Sequence, residues 1–393
     1  MTFLLCILFA LCKAVSGSPV TSEDKCIGDN RGDQLYLWEI KKSAESEASY
    51  LFGTIHVPYT LVPLPWQVKE AFKKVDNLYK EIVNNDSVTC SGGMFSDLFK
   101  TNKIPYSERR KLRREVVDYL DTLQQMVSSW FSDEDQKAAA RRLIMSASLD
   151  LYLKSFDVFT ISTTITMLSS ELVLPQLAAG HDLLDQHLEA VARRSGMFVD
   201  GVEAWSSHCP GEITASLSPA AQVHLLNSTL DDLKNGFNSD TDDLINDYNC
   251  LTVDENPFTD TKYMENPEAV ELGNWFNKKL LIERNKKMAE KIDEIMSRPD
   301  AGSNMFAFGI NHFIGTHDSV TRYLRDKNYI VTRVNIKDDL DKNGSDQGII
   351  SHSQPPAEEN SGTIVLVTFL TFFILIFSFL QHHRFIIIII PRM

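Results

Sequence analysis

The sequence predicts an α/β fold: one mixed sheet with helices on both faces and large helical insertions. Three observations predict it. Short apolar runs of strand length alternate with long amphipathic stretches, the pattern of strands and helices packed in layers. Two of those runs close on the same signature, Gly-x-x-His, at Gly53-Thr-Ile-His56 and at Gly309-Ile-Asn-His312. Two others carry a glutamate at or near their carboxyl end, Glu81 and Glu203. In open α/β sheets, sites form outside the carboxyl ends of the strands, so these four residues mark one candidate edge.

In chain order, Asp33 to Ile40 reads as a strand, with Leu35, Leu37 and Ile40 among Tyr36 and Trp38. The tripeptide Arg31-Gly-Asp33 before it is read as a solvated turn rather than an integrin motif. A charged loop follows, and the run ending in Gly53-Thr-Ile-His56 completes a hairpin. Pro58, Pro63 and Pro65 then stop the strand. A helix starts near Pro65 and runs to Val75, with Trp66, Val68, Ala71, Phe72 and Val75 at helical spacing. Asn77 to Val83 is a strand containing Glu81, a carboxylate that must be solvent-facing, paired or functional. From Phe95 to Ser195 the pattern is helical, the makings of a scaffold or a cap over a site. Met197 to Glu203 restores a strand. A second helical block spans Pro219 to Ser297, its last helix running from Ala269 to Met296 through Glu283-Arg-Asn285. Asn304 to Ile310 is a strand, Ser319 to Arg325 a short helix, and Tyr329 to Val334 the last strand.

The ends are expected to lie outside this fold. Phe3 to Leu11 is apolar and is followed by small residues, so residues 1–17 read as a signal peptide, leaving 18–336 as an extracellular domain. Residues 337–362 are polar and read as a disordered stalk. Residues 363–380 carry no charge, and as a helix would cover roughly 27 Å, enough to span a bilayer core. His382, His383 and Arg384 then place a short tail, 381–393, in the cytoplasm. The expectation is a single-pass type I protein of the cell membrane, with a GPI-anchor signal as the alternative. Cys26, Cys90, Cys209 and Cys250 remain in the mature chain, an even set that predicts two disulfides in an oxidising compartment. Sequons at Asn85, Asn227 and Asn343 suit a secretory route. A net charge of −14 argues against nucleic acid as a partner.

With 18 glycines and 10 histidines in 393 residues, chance alone supplies about half a Gly-x-x-His match. Two matches carry weight mainly because both close an apolar strand. They leave two readings open: a metal or acid–base site, or a pair of buried structural histidines. A catalytic divalent ion takes two or three His and carboxylate ligands and keeps a position for water. Glu81 suits the third ligand or the base. A glycine beside each histidine would let the chain turn sharply and leave room for ion or substrate. The zinc-protease helix H-E-x-x-H, the nucleophile elbow G-x-S-x-G, the P-loop and the dinucleotide fingerprint are all absent from the sequence. His181 and His187, with Asp182 and Asp185, read as a solvated helix face. Arg284 and Asn285, inside a charged helix, read on their own as surface.

Taken together, Gly53-Thr-Ile-His-Val-Pro-Tyr-Thr60, Glu81 after Leu78-Tyr79, Gly201-Val-Glu203, Glu283-Arg-Asn285 and Phe306-Ala-Phe-Gly-Ile-Asn-His312 resemble the Tiki metalloproteases of the TraB family. The resemblance covers about Cys26 to Val334, and the four mature cysteines fall where that family carries them. It implies a membrane-anchored protease dependent on manganese or cobalt, Mn2+ or Co2+, that trims the amino-terminal region of Wnt proteins and so inhibits Wnt signalling. It implies His56 and His312 as metal ligands, Glu81 as ligand or base, Glu203 as a further acidic site residue, and Arg284 as a substrate or oxyanion contact. The implied fold is similar to the erythromycin-esterase and ChaN-like group. Two departures stand out. Lys80-Glu-Ile-Val-Asn84 lacks the aspartate that follows the first glutamate in relatives, and Ala204-Trp-Ser-Ser207 replaces acidic residues after Glu203. The competing class is a non-catalytic surface binder that sequesters a secreted ligand, and a small-ester hydrolase ranks behind both.

Overall fold

Four parallel strands lie side by side in one sheet, and two further strands extend it through antiparallel pairings. The computed structural model describes residues 32–82, 104–153, 158–203, 216–235, 239–253, 266–315, 318–338 and 340. All fall within one compact unit. The strands are β1 (Gln34–Lys41), β2 (Ser49–Thr54), β3 (Asn77–Ile82), β4 (Phe198–Glu203), β5 (Asn304–Gly309) and β6 (Ile330–Asn335). They form a six-stranded sheet in the order β4-β3-β5-β2-β1-β6. β2, β5, β3 and β4 run parallel. β1 is antiparallel to both β2 and β6, so the expected hairpin is present.

Burial follows position in the sheet. All six residues of β2 and the first five of β5 are buried, as parallel strands covered on both faces must be. The outer strands β4 and β6 keep an alternating, half-exposed pattern. Small polar residues set the register at the amino ends. Asn77 donates to the Asn304 side chain at 3.0 Å, and the Asn304 amide donates to the Ser49 hydroxyl at 3.0 Å.

Helices cover the sheet with apolar stripes. Val68 and Ala71 come from Trp66–Lys73, Leu184, Leu188 and Ala192 from Leu184–Arg194, and Met288, Ala289, Ile292 and Ile295 from Glu283–Met296. Each set repeats every three or four residues, so one helical face meets the strands. A second apolar core lies within the helical insertion itself. There Leu112, Val116, Leu120 and Leu123 of Tyr106–Trp130 pack with Leu226 and Leu230 of Pro219–Lys234. The insertion therefore carries its own hydrophobic support.

The long helix expected from Ala269 to Met296 is not regular. Pro267–Trp275 is α-helical, Phe276–Ile282 is a π-helix, and Glu283–Met296 resumes the α form. The wider turn shifts the phase of everything beyond it, and such segments occur often at functional sites.

Several sequence-based expectations lie outside the described residues: the signal peptide, the span at 363–380, its tail, most of the stalk, Cys26, Cys90, Cys209, Asn85 and Asn343. Cys250 is described and is disulfide-bonded, with its partner cysteine outside the described residues. Among the described residues no helix is long and apolar enough to cross a membrane.

Candidate metal centre at the carboxyl edge

Because β2, β5, β3 and β4 are parallel neighbours, their carboxyl ends share one edge. The order of the strands sets out Glu203, Glu81, His312 and His56 along it. Residues separated by up to 256 positions in the chain thus become neighbours through the topology of the sheet.

His56 owes its orientation to a loop contact. After β2 the chain passes through Val57-Pro58-Tyr59, which the prolines mark as a strand breaker. Here the same segment docks on the start of the helix Leu184–Arg194. Leu184 donates its amide to the Val57 carbonyl at 2.8 Å, and Tyr59 donates to the Asp182 carbonyl at 3.1 Å. That pairing puts Asp185 beside His56. The Asp185 carboxylate accepts from His56 Nδ1 at 2.6 Å and from Thr54 Oγ1 at 2.8 Å. Asp185 is therefore not part of a plain solvated face, as its sequence neighbourhood suggests. His187, from the same helix, stacks on Tyr59 at 3.8 Å. Burial alone would lower the His56 pKa, but the Asp185 charge and hydrogen bond win and raise it to about 9. Its side chain is nonetheless 60% exposed, so solvent weakens both the burial effect and the pull of Asp185, while the direction of the shift stays upward.

His312 is its buried counterpart. It closes the short turn Ile310–His312 after β5 and is 4% exposed. Nδ1 lies 2.6 Å from Asn285 Oδ1, while Asn285 Nδ2 donates to the Asp318 carbonyl at 2.7 Å. The carbonyl can only accept, so it fixes the amide: Nδ2 points to Asp318 and Oδ1 to the histidine. His312 Nδ1 must then carry the hydrogen, which leaves Nε2 with its lone pair. Burial lowers the His312 pKa to about 4, so the ring is neutral near pH 7. Asn285, expected at the surface, is instead buried and sets the tautomer.

Nε2 of His312 faces Glu81 Oε2 at 3.8 Å. Burial would raise the Glu81 pKa, yet His312 and Arg284 hold the carboxyl well below the usual range. Arg284 Nη2 donates to Glu81 Oε1 and, at 2.6 Å, to Glu203 Oε2. Its Nε adds contacts of 3.2 Å to both Glu203 oxygens. All five sequence-predicted site residues are thus placed at one edge, with Arg284 joining the two glutamates.

The two glycines act through space rather than through special backbone angles. Neither Gly53 nor Gly309 has a positive φ, so the expected sharp turn is not what calls for glycine. A Cβ on Gly53 would come within 3.1–3.2 Å of Ile310, including its backbone Cα. A Cβ on Gly309 would sit 3.6 Å from His312 Cδ2 and 3.7 Å from Glu81 Oε2, filling the space between the two side chains.

The donor set suits a divalent ion. Two imidazoles are each bonded at Nδ1, the usual outer-shell arrangement of metal-ligating histidines, and the Glu81 carboxylate lies 3.8 Å from His312 Nε2 and near enough to His56 to act on its charge. Gly309 keeps space open between Glu81 and His312. Among the described residues no three His, Cys, Asp or Glu side chains already converge as a ligand cluster.

A family model for TraB/PrgY/gumN matches residues 36–333. The chain belongs to this family. Curated relatives include "Metalloprotease TIKI homolog" of Nematostella vectensis, 26% identical over 330 residues, 78% of this chain and 68% of that one. "Metalloprotease TIKI2" of Danio rerio is 27% identical over 323 residues, 75% of this chain and 60% of that one. "Metalloprotease TIKI1" of Homo sapiens is 26% identical over 355 residues, 83% of this chain and 67% of that one. The chain spans about 60–68% of the length of these relatives. No solved structure matches it. This TraB/PrgY/gumN chain is therefore a distant homologue of proteins named metalloproteases, and its matched span takes in every strand of the sheet except the ends of β1 and β6.

Proposed function

We propose that the chain is a metal-dependent peptidase of the TIKI kind, with a fold of the erythromycin-esterase and ChaN-like group. In this proposal it is anchored by residues 363–380 with its catalytic domain outside the cell. Its substrate is the amino-terminal region of Wnt proteins, and trimming it lowers Wnt signalling. The observation that supports the reading best is the pair of histidines bonded at Nδ1 at the carboxyl edge, with a carboxylate beside His312.

His56, His312 and Glu81 would hold the ion, Mn2+ or Co2+. Such an ion, when bound, can lower the pKa of its water to about 7 and polarise a peptide carbonyl. The chain's own residues do the rest. Asp185 and Asn285 fix the two ring orientations. Glu81, held ionised by its neighbours, suits a ligand better than a base. Glu203 retains Arg284, whose guanidinium would meet negative charge on the substrate.

Purified protein assayed for metal content and for cleavage of a Wnt amino-terminal peptide, before and after chelation, tests this. Cleavage should vanish with the chelator and return with Mn2+ or Co2+. His56→Ala and His312→Ala should each abolish it, and His56→Ala should fold normally because its ring is mostly exposed. A His56→Ala protein that still trims Wnt would sink the metal reading.

A further inference from the structure

Arg284 occupies a position that a simple list of metal ligands does not account for. It places a permanent positive charge on Glu81, the carboxylate assigned to the ion. Its grip on the two glutamates is unequal. Glu203 is held by two nitrogens, Nε at 3.2 Å and Nη2 at 2.6 Å, whereas Glu81 is reached by Nη2 alone. The other guanidinium nitrogen, Nη1, turns back to the Leu280 carbonyl at 3.4 Å, in the π-helical segment. Glu203 is also the more buried of the two carboxylates, with 7% side-chain exposure against 17% for Glu81.

We propose that Arg284 is a built-in counter-cation that competes with the metal for Glu81, releasing Glu81 but keeping Glu203 as the metal binds. This inference rests on the metal site proposed above. Two carboxylates so largely shielded from water need a positive partner, because an unpaired buried charge is strongly destabilising. A divalent cation on Glu81 supplies that charge and also repels a guanidinium a few ångströms away. Arginine cannot relieve the repulsion by losing its proton, because it stays charged at any ordinary pH. Movement is the remaining outlet. The two-nitrogen grip of Glu203 decides which contact is given up and leaves neither Arg284 nor Glu203 unpaired. Nη2 keeps its hydrogen bond to Glu203, and the N–H it had given to Glu81 then lies beside the reaction edge as a donor to offer.

The opposite role, in which Arg284 merely holds Glu81 in place for the metal, makes the opposite prediction. Mn2+ would be titrated calorimetrically into the purified full-length chain and into Arg284→Met, Arg284→Lys and His312→Ala. Competition predicts Mn2+ affinity about tenfold or more higher in Arg284→Met. It also predicts a smaller gain, about threefold, in Arg284→Lys, which keeps a charge but cannot bridge both glutamates. The lysine variant carries the test if the methionine variant fails to fold. Affinity unchanged or lower in the folded Arg284 variants would overturn the proposal. A wild-type chain that takes up no Mn2+, or a His312→Ala chain that binds it as tightly as wild type, overturns the metal site itself. That outcome is distinct, because it appears without any Arg284 variant.

Discussion

His312 has one nitrogen on Asn285 and the other facing Glu81, and the direction of that proton hangs on a single amide. Asn285→Leu should leave Nδ1–H buried without an acceptor. The expected result is a loss of about 1–3 kcal/mol in urea unfolding and roughly 10–100-fold weaker Mn2+ binding. His56 behaves differently, since its pKa stands near 9 and its proton must leave before Nε2 can bind a metal. Mn2+ affinity should therefore climb as pH rises from 7 toward 9 and level off above. In Asp185→Asn the carboxylate that raises the pKa is gone, so the climb should move to lower pH. The stability linkage follows the same proton. The folded value is raised above 6.5, so the stability from the His56–Asp185 pair is fully present below pH 6.5 and is lost by about pH 9. His56, Glu81, Glu203 and His312 were legible because each closes, or nearly closes, an apolar run. Asp185 and Asn285 were not, because each sits in an ordinary polar helix. Its partner becomes visible only once a contact between distant segments is known.

The irregular helix leading into Glu283–Met296 shows what can be read from an element and what is easily missed. Its amphipathic character is plain in Met288, Ala289, Ile292 and Ile295. The π-helical turn left a trace as well. The inward positions Leu272 and Trp275 are followed by Leu281, and Lys278 and Lys279 fall where a regular period would place the next apolar residues. That skipped beat is the signal that could have revealed it. Deleting Lys278 should restore an ordinary helix but rotate one flank by about 100°. Far-UV helicity should persist while Mn2+ binding falls, as titration calorimetry would show. At the neighbouring crossing of β2 and the turn after β5, Gly53→Ala forces a methyl against Ile310. Overpacking of this kind should cost about 1–3 kcal/mol, measurable as a lower denaturation midpoint.

At the scale of the whole molecule, the alternation of strands and helices was enough to give the class, and parallel strand ends were enough to suggest one edge. Strand order was not legible, because hydrophobic pattern says that a strand is buried but not beside which neighbour. The second apolar core was likewise hidden, since amphipathic helices do not announce whether they pack on the sheet or on one another. If the edge binds a divalent ion through His56, His312 and Glu81, the ion joins three strands and should stabilise the folded state by linkage. At 100 times its Kd, Mn2+ should add about 2.7 kcal/mol. A scanning calorimeter should record this as a higher Tm for the wild type and no shift for His56→Ala.

The place of β5 has a consequence for how the protein comes into being. β2 and β3 leave the ribosome early, yet they never touch, because β5 lies between them and is made more than 200 residues after β3. Until it arrives, the inner edges of both strands have no hydrogen-bonding partner, so closure of the sheet is a late, long-range event and a slow one. β5 also brings His312. A nascent chain therefore holds His56 and Glu81 without the strand that joins them until nearly all of the domain has been synthesised. On the function proposed above, this order of assembly would leave the peptidase unarmed during its own synthesis.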